Sequence, residues 1–103
     1  MLAPISQTTL ASEWQDWQYC LAPSHAEHKI YLSEPIPMSS FVGGIAGAVF
    51  HQMLNKAGIP HDEVQCPKAP NKRTLLFRQR YAIRLNKEIG NATITLNWKP
   101  DVD

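Results

Sequence analysis

No charge of one sign dominates this chain: ten Lys and Arg stand against nine Asp and Glu, for a formal net charge of +1. A generic polyanion binder carries a clear basic excess, so that broad class is disfavoured while a local basic patch remains open. No apolar run is long enough for a bilayer. The most apolar stretch, Phe41 to Phe50, is about half of the ~20 residues that a spanning helix needs. Met1 to Gln7 lacks a basic segment followed by a long apolar one, so no export signal is read there and the expected location is cytoplasmic. Cysteine is scarce. Cys20 and Cys66 are not part of a Cys-x-x-Cys element, and in a cytoplasmic chain they are expected to be unpaired, mostly buried thiols.

Signatures of specific chemistry are missing as well. His25 and His28, three apart, make only a weak Cys2His2 pattern with the two cysteines, and solvated loop histidines are the plainer reading. No metal and no cofactor is assigned. Gly43-Gly44-Ile45-Ala46-Gly47 lacks the Gly-Lys-Ser/Thr ending of a phosphate loop. No nucleophile or oxyanion arrangement accompanies His51, so a small hydrolase or isomerase using His51, oriented by Asp62, Glu63 or Glu34, is an alternative and not the leading reading.

What is present fits one compact domain. The chain has 103 residues, 44% of them hydrophobic, enough for a single core and too few for two. Residues 1–8 read as a loose N-terminal arm. Glu13 to Leu21 has two readings: a helix from the spacing of Leu10, Trp14, Trp17 and Leu21, or a strand from the alternation of Trp17, Tyr19 and Leu21. The strand is preferred, paired through the connection Ala22 to His28 with a second strand, Lys29 to Ser33. Pro35 and Pro37 end that strand. A helix is expected over Ser40 to Ala57, with Ser39 or Ser40 as N-cap and Gly58 as the C-terminal glycine. Its apolar arc covers more than half the circumference. The remaining strip, including Gly44, Gly47, Ala48 and His51, suggests close approach of another surface.

His61 to Cys66 reads as a short strand and Pro67 to Arg73 as a loop. Thr74 to Asn86 is expected to be a strand. Phe77, Gln79, Tyr81, Ile83 and Leu85 alternate with Arg78, Arg80, Ala82, Arg84 and Asn86, one set facing a core and the other water. A turn near Lys87 to Asn91 then leads to a partner strand, Ala92 to Trp98, with Gly90-Asn91 as a type II′ turn. The expected fold is α+β: a small antiparallel sheet of four to five strands, with one central helix on its apolar face. Val49, Met53, Tyr81, Ile83, Leu96 and Trp98 should share the core.

The function these features favour is a non-enzymatic binding or accessory protein that self-associates as a homodimer through the Gly44, Gly47, Ala48 and His51 strip. A second reading is a small apolar ligand in a cleft lined by Trp14, Trp17 and the helix. A third is nucleic-acid binding through Lys72, Arg73, Arg78, Arg80 and Arg84. That reading is weakened because Tyr81 and Trp98 fall on the face opposite the arginines, whereas single-strand recognition needs rings and cations together. No membrane partner is expected.

Overall fold

The computed structural model describes residues 16–38 and 45–98. Its elements are β1 (Trp17–Gln18), β2 (Leu21–Ser24), β3 (Lys29–Leu32), β4 (Ile36–Pro37), α1 (Ala46–Lys56), β5 (Lys68–Ala69), α2 (Lys72–Glu88) and β6 (Ala92–Thr95). The α+β class holds, but the layout differs from a single sheet with one helix. Among the described residues there are two three-stranded sheets, ordered β4-β1-β5 and β2-β3-β6. The expected partner strand of β3 is corrected: of the described residues in 13–21, Trp17–Gln18 form β1, which pairs with β4 and β5 in the other sheet. β3 instead makes its hairpin with β2, most of it expected as connection, pairing Leu21 with Leu32 and Ser24 with Lys29, and only residues 25–28 make the turn. His28 closes that turn at φ 55°.

The middle strand β3 organises the core. Successive side chains of a strand face opposite sides. Ile30 and Leu32 therefore join Tyr19, Ala69 and Leu75 in one buried cluster. Tyr31 turns the other way and joins Cys20, Ala22, Ile36, Ala46, Phe50 and Leu54 in a second cluster. α1 contributes to one cluster and α2 to the other. A strand buried on both sides explains the unbroken apolar run Ile30-Tyr31-Leu32. Ser33 is fully buried beside it; its hydroxyl accepts from the Cys20 amide at 2.8 Å and donates to the Glu34 carbonyl at 2.9 Å.

The largest departure from the sequence reading is α2. Residues 74–86 are helical and not a strand. Asn71 caps the helix, its Oδ1 accepting from the Thr74 amide at 2.8 Å, the N-cap geometry that short polar side chains supply. Gly90, at φ 93°, is the glycine just past the helix end and not a hairpin turn. Its amide donates to Lys87 O and the Asn91 amide donates to Asn86 O, the paired bonds of a Schellman motif. α1 ends the same way at Gly58, as the sequence led us to expect, with Gly58 donating to Asn55 O and Ile59 to Leu54 O. Its Ser39 or Ser40 cap lies outside the described residues. Strand β6 forms within the expected segment, but its partner is β3, in parallel, with Ile30 opposite Thr93.

Helical geometry also corrects the expected core. Tyr81 is 48% exposed. Val49 is half-buried. Met53, Leu96 and Trp98 pack on the α1 side while Ile83 packs on the other. The six residues are thus not buried together.

The cysteines are corrected too: Cys20 and Cys66 form a disulfide. The backbone makes this natural. Tyr19 N donates to Pro67 O, and Leu21 exchanges both of its backbone bonds with Gln65. Cys20 and Cys66 are therefore directly opposite each other on antiparallel segments. Beyond the single bridge of Leu21 to Gln65, residues 61–66 form no strand.

Burial raises the Tyr19 phenol above its ordinary value of 10.0. Tyr31 is raised by burial first, and then by the hydrogen bond to Glu27 and its charge. The folded chain holds these protons more tightly than the unfolded chain does. This contribution to stability is whole below pH 10.0 and is lost as pH rises past it through the folded values. Tyr19→Phe removes one such group, and its alkaline unfolding, followed by circular dichroism, should shift to higher pH. An unchanged curve would mean that Tyr19 ionises without unfolding the chain.

Candidate functional site

A helix buries one face and leaves the opposite one to water unless something covers it. On α2 only Leu75 and Gln79 are buried. Gln79 meets the core through its amide, which donates to Ser33 O at 3.3 Å. The outer face carries large apolar side chains: Phe77 is 69% exposed, Tyr81 48%, Leu85 42% and Ile89, at the helix end, 74%. These four are spaced by four residues, so at about 100° per residue they form one slowly drifting stripe. Arg73, Arg80, Arg84 and Lys87 fall on a second stripe beside it. Phe77, Arg80, Tyr81, Ile83, Arg84 and Lys87 line a shallow groove of about 540 Å³.

The electrostatics of this face are one-sided. α2 holds Lys72, Arg73, Arg78, Arg80, Arg84 and Lys87, six of the chain's ten cationic residues, and Glu88 is its one acid. Not all of the six are free to bind. Lys72 Nζ sits over the Trp17 ring at 5.2 Å, and Arg78 Nη1 donates to Lys68 O at 3.1 Å. Arg84 lies over the Tyr81 ring at 5.4 Å. The row expected from strand alternation is therefore regrouped. Arg80 and Arg84 stay together, Arg78 is turned about 160° away from Arg80, and Lys87 joins. The same rotation brings Phe77 and Tyr81 onto the arginine side, which removes the separation of rings from cations expected of a strand.

The other expected site residues are dispersed. Gly44 and Trp14 lie outside the described residues. Gly47 faces its own chain: a Cβ there would come 3.4 Å from Cys66 Sγ and 3.9 Å from Val64. Both are ordinary van der Waals distances, so a methyl group would fit there and the contact does not require glycine. Ala48 and His51 are exposed. Trp17 is half-buried against the α2-side cluster and covered by Lys72, so it does not line a cleft with α1.

Three of the four histidines enter two separate side-chain pairs, one with Asp62 and one between His51 and His61. His25 Nδ1 meets Asp62 Oδ2 at 2.5 Å, and the His25 amide donates to the same oxygen at 2.9 Å. These bonds, the backbone one first, hold the Asp62 carboxyl below its ordinary value. His51 Nδ1 faces His61 Nε2 at 2.8 Å. With Cys20 and Cys66 in a disulfide, no thiolate is available for a Cys2His2 site. Among the described residues, no three His, Cys, Asp or Glu side chains are grouped to hold a metal ion, and no helix is long and apolar enough to cross a membrane.

No family model, curated protein or solved structure matches this chain. Its site is read from its own chemistry.

Proposed function

We propose that the protein is a non-enzymatic binding protein whose working surface is the outer face of α2, and that its partner is a protein presenting an apolar groove with an acidic rim. The observation that carries this reading is the exposed stripe Phe77, Tyr81, Leu85 and Ile89 beside Arg80, Arg84 and Lys87. Helices that dock in grooves present apolar anchors at this kind of spacing. Aromatic residues and arginine are enriched in interface cores. Two of the four stripe residues are aliphatic and gain nothing from base stacking, which favours a protein over nucleic acid. A second copy of the chain docking by the same face would bring its own cations against these, so a complementary acidic partner suits the charge better than self-association. The cytoplasmic location was expected from the lack of an export signal in Met1 to Gln7, and the cysteines were expected to be thiols on that ground. The Cys20–Cys66 disulfide instead favours an oxidising compartment.

A photo-crosslinker placed at Tyr81 tests the face. The expected product is a cross-link to an acidic protein whose affinity falls at least roughly ten-fold in Arg80→Glu/Arg84→Glu, while the fold is kept. Cross-links to a second copy would restore the self-associating reading. Cross-links to nucleic acid, with a steep salt slope, would replace the protein reading by the nucleic-acid one. A partner that binds the charge-reversed protein equally well would remove α2 as the working surface.

A further inference from the structure

We infer that His51 and His61 form a chelating pair for a divalent transition-metal ion of the Cu(II) or Ni(II) type. The two ring nitrogens that face each other, His51 Nδ1 and His61 Nε2, stand 2.8 Å apart. Imidazole suits copper, nickel and zinc. With metal–nitrogen bonds of roughly 2.0–2.1 Å, two nitrogens at right angles around a metal stand about 2.9 Å apart, whereas tetrahedral coordination needs about 3.4 Å. The observed spacing is that of an N–H···N hydrogen bond between the rings, and it leaves the two nitrogens closer to the separation a tetragonal Cu(II) or Ni(II) ion needs than to the tetrahedral one.

The nitrogens that do not face the metal position are held. His61 Nδ1 bonds to the Ile59 carbonyl at 2.9 Å. Since a carbonyl only accepts, that nitrogen carries the proton and Nε2 keeps its lone pair. Metal-binding histidines are commonly oriented in this way through their second nitrogen. His51 Nε2 lies 3.1 Å from the Asn55 amide. Without metal, one proton arrangement satisfies the row: Asn55 donates to His51 Nε2, His51 Nδ1 donates to His61 Nε2, and His61 Nδ1 donates to Ile59 O. Metal entry requires the His51 proton to move from Nδ1 to Nε2 and the Asn55 amide to turn its oxygen toward it. Both imidazoles then offer lone pairs as neutral ligands, no net proton is released, and water fills the remaining positions.

Both supports are anchored. His51 is on α1. His61 follows the Schellman end of that helix, and its neighbour Asp62 is tied to Pro23 O through its amide and to His25 through its carboxylate. His51 is exposed and His61 half-buried, so an ion can reach the pair.

Titration of the intact, oxidised protein with Cu(II) and with Ni(II), followed by calorimetry and, for Cu(II), by electron paramagnetic resonance, tests this. One equivalent of Cu(II) should bind with nitrogen hyperfine structure from two imidazoles. His51→Ala and His61→Ala should each lower the affinity at least roughly ten-fold, while His28→Ala, a change in the β2–β3 turn, leaves it unchanged. Circular dichroism checks that each variant folds. Ni(II) should bind more tightly than Zn(II). The inference is overturned if His51→Ala and His61→Ala bind as the parent does, if His28→Ala weakens binding as much as they do, or if only one imidazole is seen on the copper.

Discussion

Replacing Cys20 and Cys66 together by serine should lower the free energy of unfolding by about 4 kcal/mol, the chain-entropy value for a loop of this size. The two residues are 46 apart in sequence, so the bridge removes a large share of the freedom of the unfolded chain. A domain of this size has roughly 5–15 kcal/mol in total. Reduced protein should therefore unfold at a much lower denaturant concentration than oxidised protein. The folded contacts around the bridge should survive the change. Leu21 and Gln65 keep their reciprocal backbone bonds without it, and the Ser33 hydroxyl still accepts from the residue 20 amide. Guanidinium denaturation of oxidised, reduced and serine forms measures the effect. A loss below about 1 kcal/mol would show that the two segments are held together by their ladder and core alone.

The second large effect separates the two faces of α2. Leu75 is fully buried in the cluster with Tyr19, Ile30 and Leu32. Leu75→Ala should cost about 2–5 kcal/mol. Phe77, two residues on, is 69% exposed, and Phe77→Ser should stay within about 0.5 kcal/mol. A strand over the same residues would instead put both side chains on one face, since they are two apart, and the two substitutions would then cost alike. Chemical denaturation of the pair thus discriminates helix from strand at this segment. The same Phe77→Ser protein should lose affinity for the partner of the α2 face, which ties the stability experiment to the functional one.

The misreading of α2 has a physical origin. Its residues satisfy two periods at once. Phe77, Tyr81 and Leu85 are four apart and also an even number apart, so they share a face in either geometry. The choice turns on Leu75, Gln79 and Ile83, which carry one buried helical face only if the polar Gln79 is allowed into it. Gln79 is admitted because Ser33 O needs a donor, and no local pattern announces that need. The end signals were nevertheless present: Asn71 with a free amide three residues on, and Gly90 one residue past the last turn. Read together as caps, they bracket the helix. Read singly, Gly90-Asn91 serves a hairpin turn as well.

The candidate surface was legible in composition and not in arrangement. The cluster of cations from Lys72 to Arg84 was visible, but which of them remain free depends on Trp17 and on Lys68 O, residues brought near by folding. The His51–His61 pair was not visible as a pair, since its ten-residue separation means nothing until the glycine-capped end of α1 turns the chain back.

Local chemistry determined what could be read from this chain alone. The α+β class, strand β3, helix α1 and its glycine end follow from side-chain period and cap residues, which act within a few positions, whereas the partner of β3 in its hairpin did not. Tertiary structure alone decided the rest. The disulfide required segments 46 residues apart to lie in antiparallel register. The parallel pairing of β6 with β3 required the end of α2 to deliver Ala92 to the start of β3, where its amide donates to His28 O. The burial of Leu75 in place of Phe77 required β3 to present Ile30 and Leu32 on the side where α2 packs, a preference that belongs to the assembled core and to no single segment.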